Sequence, residues 1–248
     1  MATVTGAKPK RFHWSRERLF FGGMGLTILI LVLWGFARSW LLRGMLADGP
    51  AAPLPALVHV HGAVFLSWVL LFIAQAALIS ARNLRWHRIL GFSSLALAAA
   101  MVVLGVEVAV GQYQRGSGPP GIEPLSWLAA PLFDLPVFAG LVAAGVVWRH
   151  RPQVHKRLML LATLVFLQAA LGRFQPFPPD FLAGEAMTLV AWLATLPLLV
   201  WDFATRGRPH AATLVGIGVL GAEQVLRLAL WNTEGWHAVA RWVVAAFG

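Results

Sequence analysis

Histidine is the place to begin with this chain, whose 248 residues include eight of them and no cysteine. The missing thiol excludes disulfides, thiolate metal ligands, iron–sulfur clusters and cysteine nucleophiles, so any metal must be held by His, carboxylate or Met. Two of the histidines recur in matched settings. Arg82-Asn83-Leu84-Arg85-Trp86-His87-Arg88-Ile89-Leu90 and Arg151-Pro152-Gln153-Val154-His155-Lys156-Arg157-Leu158-Met159 each carry a basic turn, a His, further cations and then an apolar run. The His87 face, followed in helical steps of three and four, reads Gly91, Ser94, Ala98, Met101 and Gly105, and the His155 face reads Met159, Ala162 and Ala169. A small-residue groove beside a histidine is what a flat porphyrin needs when two helices supply axial imidazoles, and Arg88, Lys156 and Arg157 are placed to pair with its propionates. The same features have a plainer use: small residues let helices pack closely, and interfacial His and Arg meet lipid phosphates.

A second polar layer is spread over other apolar runs. Glu107, Asp134, Arg173, Glu185, Glu223 and Arg227 all fall in or at the ends of long hydrophobic stretches. An isolated charge in hydrocarbon costs roughly 2.5–3.5 kcal/mol, so these groups are expected to face the interior and pair. Glu223 and Arg227 stand at i, i+4 with the acid first, the favoured order for a local ion pair. Glu107 and Asp134 have no local partner, which makes Arg173, His61 or a bound ligand the expected neighbour and suggests a polar cavity in which Glu107, Asp134 and Arg173 are the catalytic or binding groups. His61 shares a stripe with Trp68 and Gln75 and is, with His87 and His155, a candidate metal ligand. His59 points about 200° away from it on a helix and does not chelate the same ion.

The elements that must position these residues are transmembrane helices. Hydrophobic residues make up 58% of the chain and charged ones 12%, with a mean hydropathy of +0.71. The expected fold is all-α: a polytopic bundle of about seven spans at 19–42, 57–80, 89–112, 126–148, 157–175, 183–203 and 211–231. Residues 1–18 form a basic N-terminal segment, 19–235 the seven-helix domain, and 236–248 an interfacial tail. Fourteen Lys and Arg lie on the side that holds the N-terminus and five on the other. That asymmetry puts the N-terminus in the cytoplasm of a bacterial inner membrane. The net charge of +10 therefore points to anionic lipid headgroups as partners and not to nucleic acid. Retinal is excluded because the only lysines are Lys8, Lys10 and Lys156, none deep in a span. Walker A, His-Glu-x-x-His and Gly-x-Ser-x-Gly motifs are absent, and with them nucleotide hydrolysis, zincin proteolysis and serine-hydrolase chemistry.

Across spans two to five, Val58-His59-Val60-His61-Gly62, Gln75, His87-Arg88-Ile89-Leu90-Gly91 and His155-Lys156-Arg157-Leu158-Met159-Leu160 resemble an uncharacterised family of bacterial membrane proteins with His-Arg-x-x-Gly and His-Arg-Arg-x-Met motifs. The resemblance covers about half the chain and implies membrane location without an activity. A weaker likeness is to the b561-type transmembrane cytochromes, which hold two haems between histidines on four consecutive helices. Here span four has no histidine in its membrane part, since His150 follows it, and that departure counts against a second haem.

Three functional expectations result. The first is a redox protein with one b-type haem between His87 and His155. The second is a cofactor-free enzyme or transporter using the outer polar cavity. The third is an accessory subunit packed against a partner subunit.

Overall fold

The computed structural model describes residues 16–46, 53–118, 121–173, 190 and 192–248. Among them the chain is helical, with no strand: α1 (Arg16–Phe36), a π-helical turn (Ala37–Leu41), α2 (Arg43–Leu46), α3 (Ala56–Ser80), α4 (Leu84–Gln114), α5 (Pro124–Trp127), α6 (Ala129–Val147), α7 (Pro152–Val165), α8 (Leu167–Leu171), α9 (Leu196–Arg206), α10 (Ala211–Leu230) and α11 (Glu234–Phe247). Six of these segments are long and apolar enough to cross a membrane: Arg16–Leu41, Ala56–Ser80, Leu84–Gln114, Pro124–Val147, Pro152–Leu171 and Ala211–Leu230. Most of the expected span 183–203 lies outside the described residues. Its described remainder includes α9, whose 11 residues are too few to span on their own.

Polar caps fix the ends of these helices, which shifts two boundaries from those hydropathy suggests. The α4 helix starts at Leu84 and not at residue 89, because the Asn83 side chain accepts a hydrogen bond from the Trp86 N–H at 3.3 Å. The α7 helix starts at Pro152 and not at 157, since proline at the first helical position gives up no hydrogen bond. Each cap residue is followed four positions later by a histidine, so His87 and His155 sit in the first turn of their helices. The α9 helix stops at Gly207, whose φ of +70° is the left-handed conformation of a helix C-terminus.

Polarity runs inside out. Large apolar side chains such as Leu26, Ile30, Trp34, Phe92, Val215, Val225 and Trp242 are exposed, while Asp134, Arg157, Gln168, Asp202, Glu223 and Arg227 are buried. Exposed hydrocarbon and buried charge are the arrangement a lipid solvent selects, and the chain is a membrane protein. The tightest packing is within two hairpins, α3–α4 and α6–α7. Around them α1 packs on α3 and α8, α10 on α6 and α7, and α11 on α4 and α5. The α7 helix is the most enclosed, and its Thr163 hydroxyl accepts from Trp68 Nε1 of α3 at 3.1 Å. Ser94, Ala98, Met101 and Gly105 of α4 are buried as their spacing predicts. On the His155 face Ala162 is buried but Ala169 is exposed, because the helix is interrupted at Phe166 and α8 resumes with a changed phase.

Candidate functional site

The α3–α4 and α6–α7 turns come to the same end of the bundle and bring the two matched histidines together. The rings of His87 and His155 stand 6.4 Å apart between centroids and 89° between planes. His155 Nδ1 lies 2.8 Å from the Gly145 carbonyl of α6, so it carries the proton and leaves Nε2 with its lone pair free. His87 Nδ1 is buried without a hydrogen-bond partner, as is Gln75 Oε1 on α3. The Gln75 amide borders Gly91, where an added Cβ would lie 3.8 Å from Nε2. Two imidazoles on one iron, each bonded at about 2.0 Å, have ring centroids about 6 Å apart. The separation of His87 and His155 therefore fits a shared axial pair, and the bond from His155 Nδ1 to a backbone carbonyl is the outer-shell contact that orients such a ligand.

The cations next to the pair are differently disposed. Arg88 is exposed at the bundle end. Lys156 forms an ion pair with Glu17 of α1, whose carboxylate also accepts from Gln153 Nε2 at 3.2 Å. Arg157 is 1% exposed and forms an ion pair with Asp202 of α9, itself 0% exposed. Its Nη1 donates to the Gln153 backbone and side-chain oxygens at 2.8 and 2.7 Å. Asp202 Oδ2 also accepts from Thr213 Oγ1 at 2.5 Å and from the His210 N–H at 2.9 Å. Lys156 and Arg157 thus fasten α7 to α1, α9 and α10, leaving Arg88 as the free cation of the three expected around a propionate.

The residues of the expected outer cavity do not form one cluster. His61 stacks on Phe65 with ring centroids 4.1 Å apart. It precedes Gln75 by nearly four turns of α3, about 21 Å along a helix, so it does not join His87 and His155 on one metal. Among the described residues no group of three or more His, Asp or Glu could hold a metal ion. Arg173 donates to the Ala169 carbonyl at 2.5 Å and lies over the Phe36 ring at 4.5 Å. Glu107 is half-buried on α4, and Glu185 lies outside the described residues. Asp134 accepts from Gln168 Nε2 at 2.5 Å, and Gln168 Oε1 accepts from Arg227 at 3.4 Å. Arg227 Nε stands 3.5 Å from Glu223, the i, i+4 pair read from spacing.

Other polar contacts escape sequence reading because their partners are far apart along the chain. Asp202 is one; Glu123, Ser126 and His237 are another set. Ser126 Oγ lies 3.0 Å from His237 Nε2 and 3.0 Å from Glu123 Oε2, which is 3.4 Å from the same His nitrogen. A catalytic triad needs the acid on the other imidazole nitrogen. Here Glu123 caps α5 through the Ser126 N–H at 2.6 Å and docks α11. Burial alone would raise the Glu123 carboxyl, but the Ser126 and Leu125 N–H groups, the Ser126 hydroxyl and His237 outweigh it and hold the carboxyl below the usual glutamate range. Burial, with the charges of Arg157 and Arg206, pushes His210 below the usual imidazole range.

Comparison with protein-family models, curated proteins and solved structures finds no match for this chain.

Proposed function

We propose that the protein is a membrane-embedded electron carrier of the bacterial inner membrane, with about seven spans, a cytoplasmic N-terminus and one b-type haem held between α4 and α7. The observation that carries this reading is the pair of first-turn histidines whose rings stand 6.4 Å apart. His87 and His155 would supply the axial ligands, and the bound haem would supply one-electron transfer. The Gly145 carbonyl fixes the His155 tautomer and ring orientation. The buried, unpartnered His87 Nδ1 and Gln75 Oε1 mark a place where polar groups await a ligand or water. Arg88 is available to a propionate, and the exposed Arg82, Arg85 and Arg88 favour anionic headgroups at that face. The resemblance to b561-type cytochromes agrees with this reading for one haem.

The test is an absorption spectrum of protein purified from haem-sufficient cells. A Soret band that is lost in His87→Ala and in His155→Ala, but kept in His61→Ala, is expected. A colourless protein, or a band indifferent to both substitutions, would refute the proposal.

A further inference from the structure

At mid-depth the bundle encloses a small cavity whose polar lining consists of hydrogen-bond acceptors. About 10 Å³ is open to a water-sized sphere, between Asp134 of α6, Leu164 and Val165 of α7, Thr195 before α9, and Glu223 and Gln224 of α10. That is close to the space one water needs. Glu223 Oε1 and Gln224 Oε1 are buried there without a hydrogen-bond partner, although the two side chains are only 7% and 3% exposed. The ion pair of Glu223 with Arg227 is a long one and does not make that bond. The Thr195 hydroxyl is already used on the Trp192 carbonyl at 2.7 Å. The lining residues therefore accept and have no free donor to offer one another.

The polar residues of the three helices reach one depth. Measured along the helix axes from Val147 to Asp134 in α6, from Ala211 to Glu223 in α10 and from Pro152 to Gln168 through α7 and α8, they stand about 18–24 Å from the same end of the bundle, inside a hydrocarbon core of about 30 Å. Among the described residues two carboxylates, Asp134 and Glu223, meet one guanidinium, Arg227. Glu107, on the α4 helix packed against α6, does not line the cavity. If both acids were ionised the cluster would carry one uncompensated negative charge where water is scarce, a costly state that proteins relieve by binding a cation or a proton.

We propose that this cavity is a proton-binding site: Asp134 and Glu223 share one proton, with a single water bridging the orphaned acceptors of Glu223 and Gln224. Gln168 tells the two acids apart, since its amide donates to Asp134 and accepts from Arg227. The site stands apart from His87 and His155 and does not depend on a haem there. A proton fits better than a metal ion because the cavity holds one water-sized body and too few oxygens for a full hydration shell.

Infrared difference spectra of the reconstituted protein between acid and alkaline buffer test this directly. A protonated-carboxyl band that disappears on alkalinisation is expected, and it should be missing in both Asp134→Asn and Glu223→Gln. Thermal stability of the parent should fall as pH rises, whereas either amide variant should be flat with pH and no less stable than the parent in alkali. Two independent amide variants guard against the misfolding of one. A band retained in both, or variants uniformly weaker at every pH, would overturn the proposal in favour of a neutral packing network. Alkaline stability rescued by exchanging potassium for sodium would overturn it in favour of a metal cation.

Discussion

Removal of Arg157 is the most severe single test of how this bundle is held. The guanidinium is 1% exposed and its partner Asp202 is 0% exposed, so neither can turn to water when the other is lost. Arg157→Met leaves a buried carboxylate with only Thr213 Oγ1 and the His210 N–H as donors. Asp202→Leu leaves a buried guanidinium with only the Gln153 oxygens. Breaking one side of such a pair costs about 3–5 kcal/mol, so two independent losses would sum to about 8. The double variant removes both charges. It orphans the Gln153 oxygens, the Thr213 hydroxyl and the His210 N–H, at about 1 kcal/mol each, giving a total near 3. The coupling of about 5 kcal/mol lies within the range measured for close charge pairs. Unfolding in mixed micelles, followed by tryptophan fluorescence, gives all four corners of the cycle. A double variant as costly as the sum of the singles would refute the argument that each charge is needed to hold the other.

Three further outcomes are expected. The neutral ring of His210 caps α10 by accepting from the Ala212 N–H at 3.0 Å, and its folded pKa is lowered, so this cap is complete above the unfolded imidazole value and fades as pH falls below it. Acidification from about pH 7.5 to about pH 5.5 should therefore lower the melting temperature, by up to about 1 kcal/mol of helix capping, and His210→Asn should abolish that part of the pH dependence. Glu123 is lowered, so its contribution is present above the unfolded glutamate value and lost as pH falls through the folded one. Glu123→Gln should speed hydrogen exchange in α11 at neutral pH, and an unchanged rate would mean that Trp236 alone docks that helix. Gly35→Ala should destabilise by about 1–3 kcal/mol, because the new Cβ meets the Ala170 backbone carbonyl, whereas Gly23→Ala, with nothing within 4 Å, should be neutral or better in thermal melts.

The parts of this molecule legible in its sequence are those set by local periodicity. Hydropathy found the spans, and steps of three and four found the buried α4 face through Ser94, Ala98, Met101 and Gly105. The i, i+4 spacing of Glu223 and Arg227 gave their ion pair. Hydropathy misplaced the starts of α4 and α7 because polar and basic first turns look like loop until Asn83 and Pro152 are read as helix-starting residues. The partners of Arg157 and Asp134 were hidden for another reason. Asp202 is 45 residues from Arg157 and Gln168 is 34 from Asp134, and no periodicity within one helix reports which neighbour it packs against. The juxtaposition of His87 and His155 was read from the likeness of two turns, a signal that spans helices because it repeats.

That repetition bears on how the molecule could be divided. Each hairpin, α3–α4 and α6–α7, packs closely on its own and ends in one histidine, so neither half has a binding site and the interface between them does. A ligand gripped by both histidines would act as a rivet across that interface. It would resist separation of the halves and do nothing for either one alone. A chain cut between α4 and α5 should then still assemble from its two fragments, and should do so more tightly with the ligand than without it.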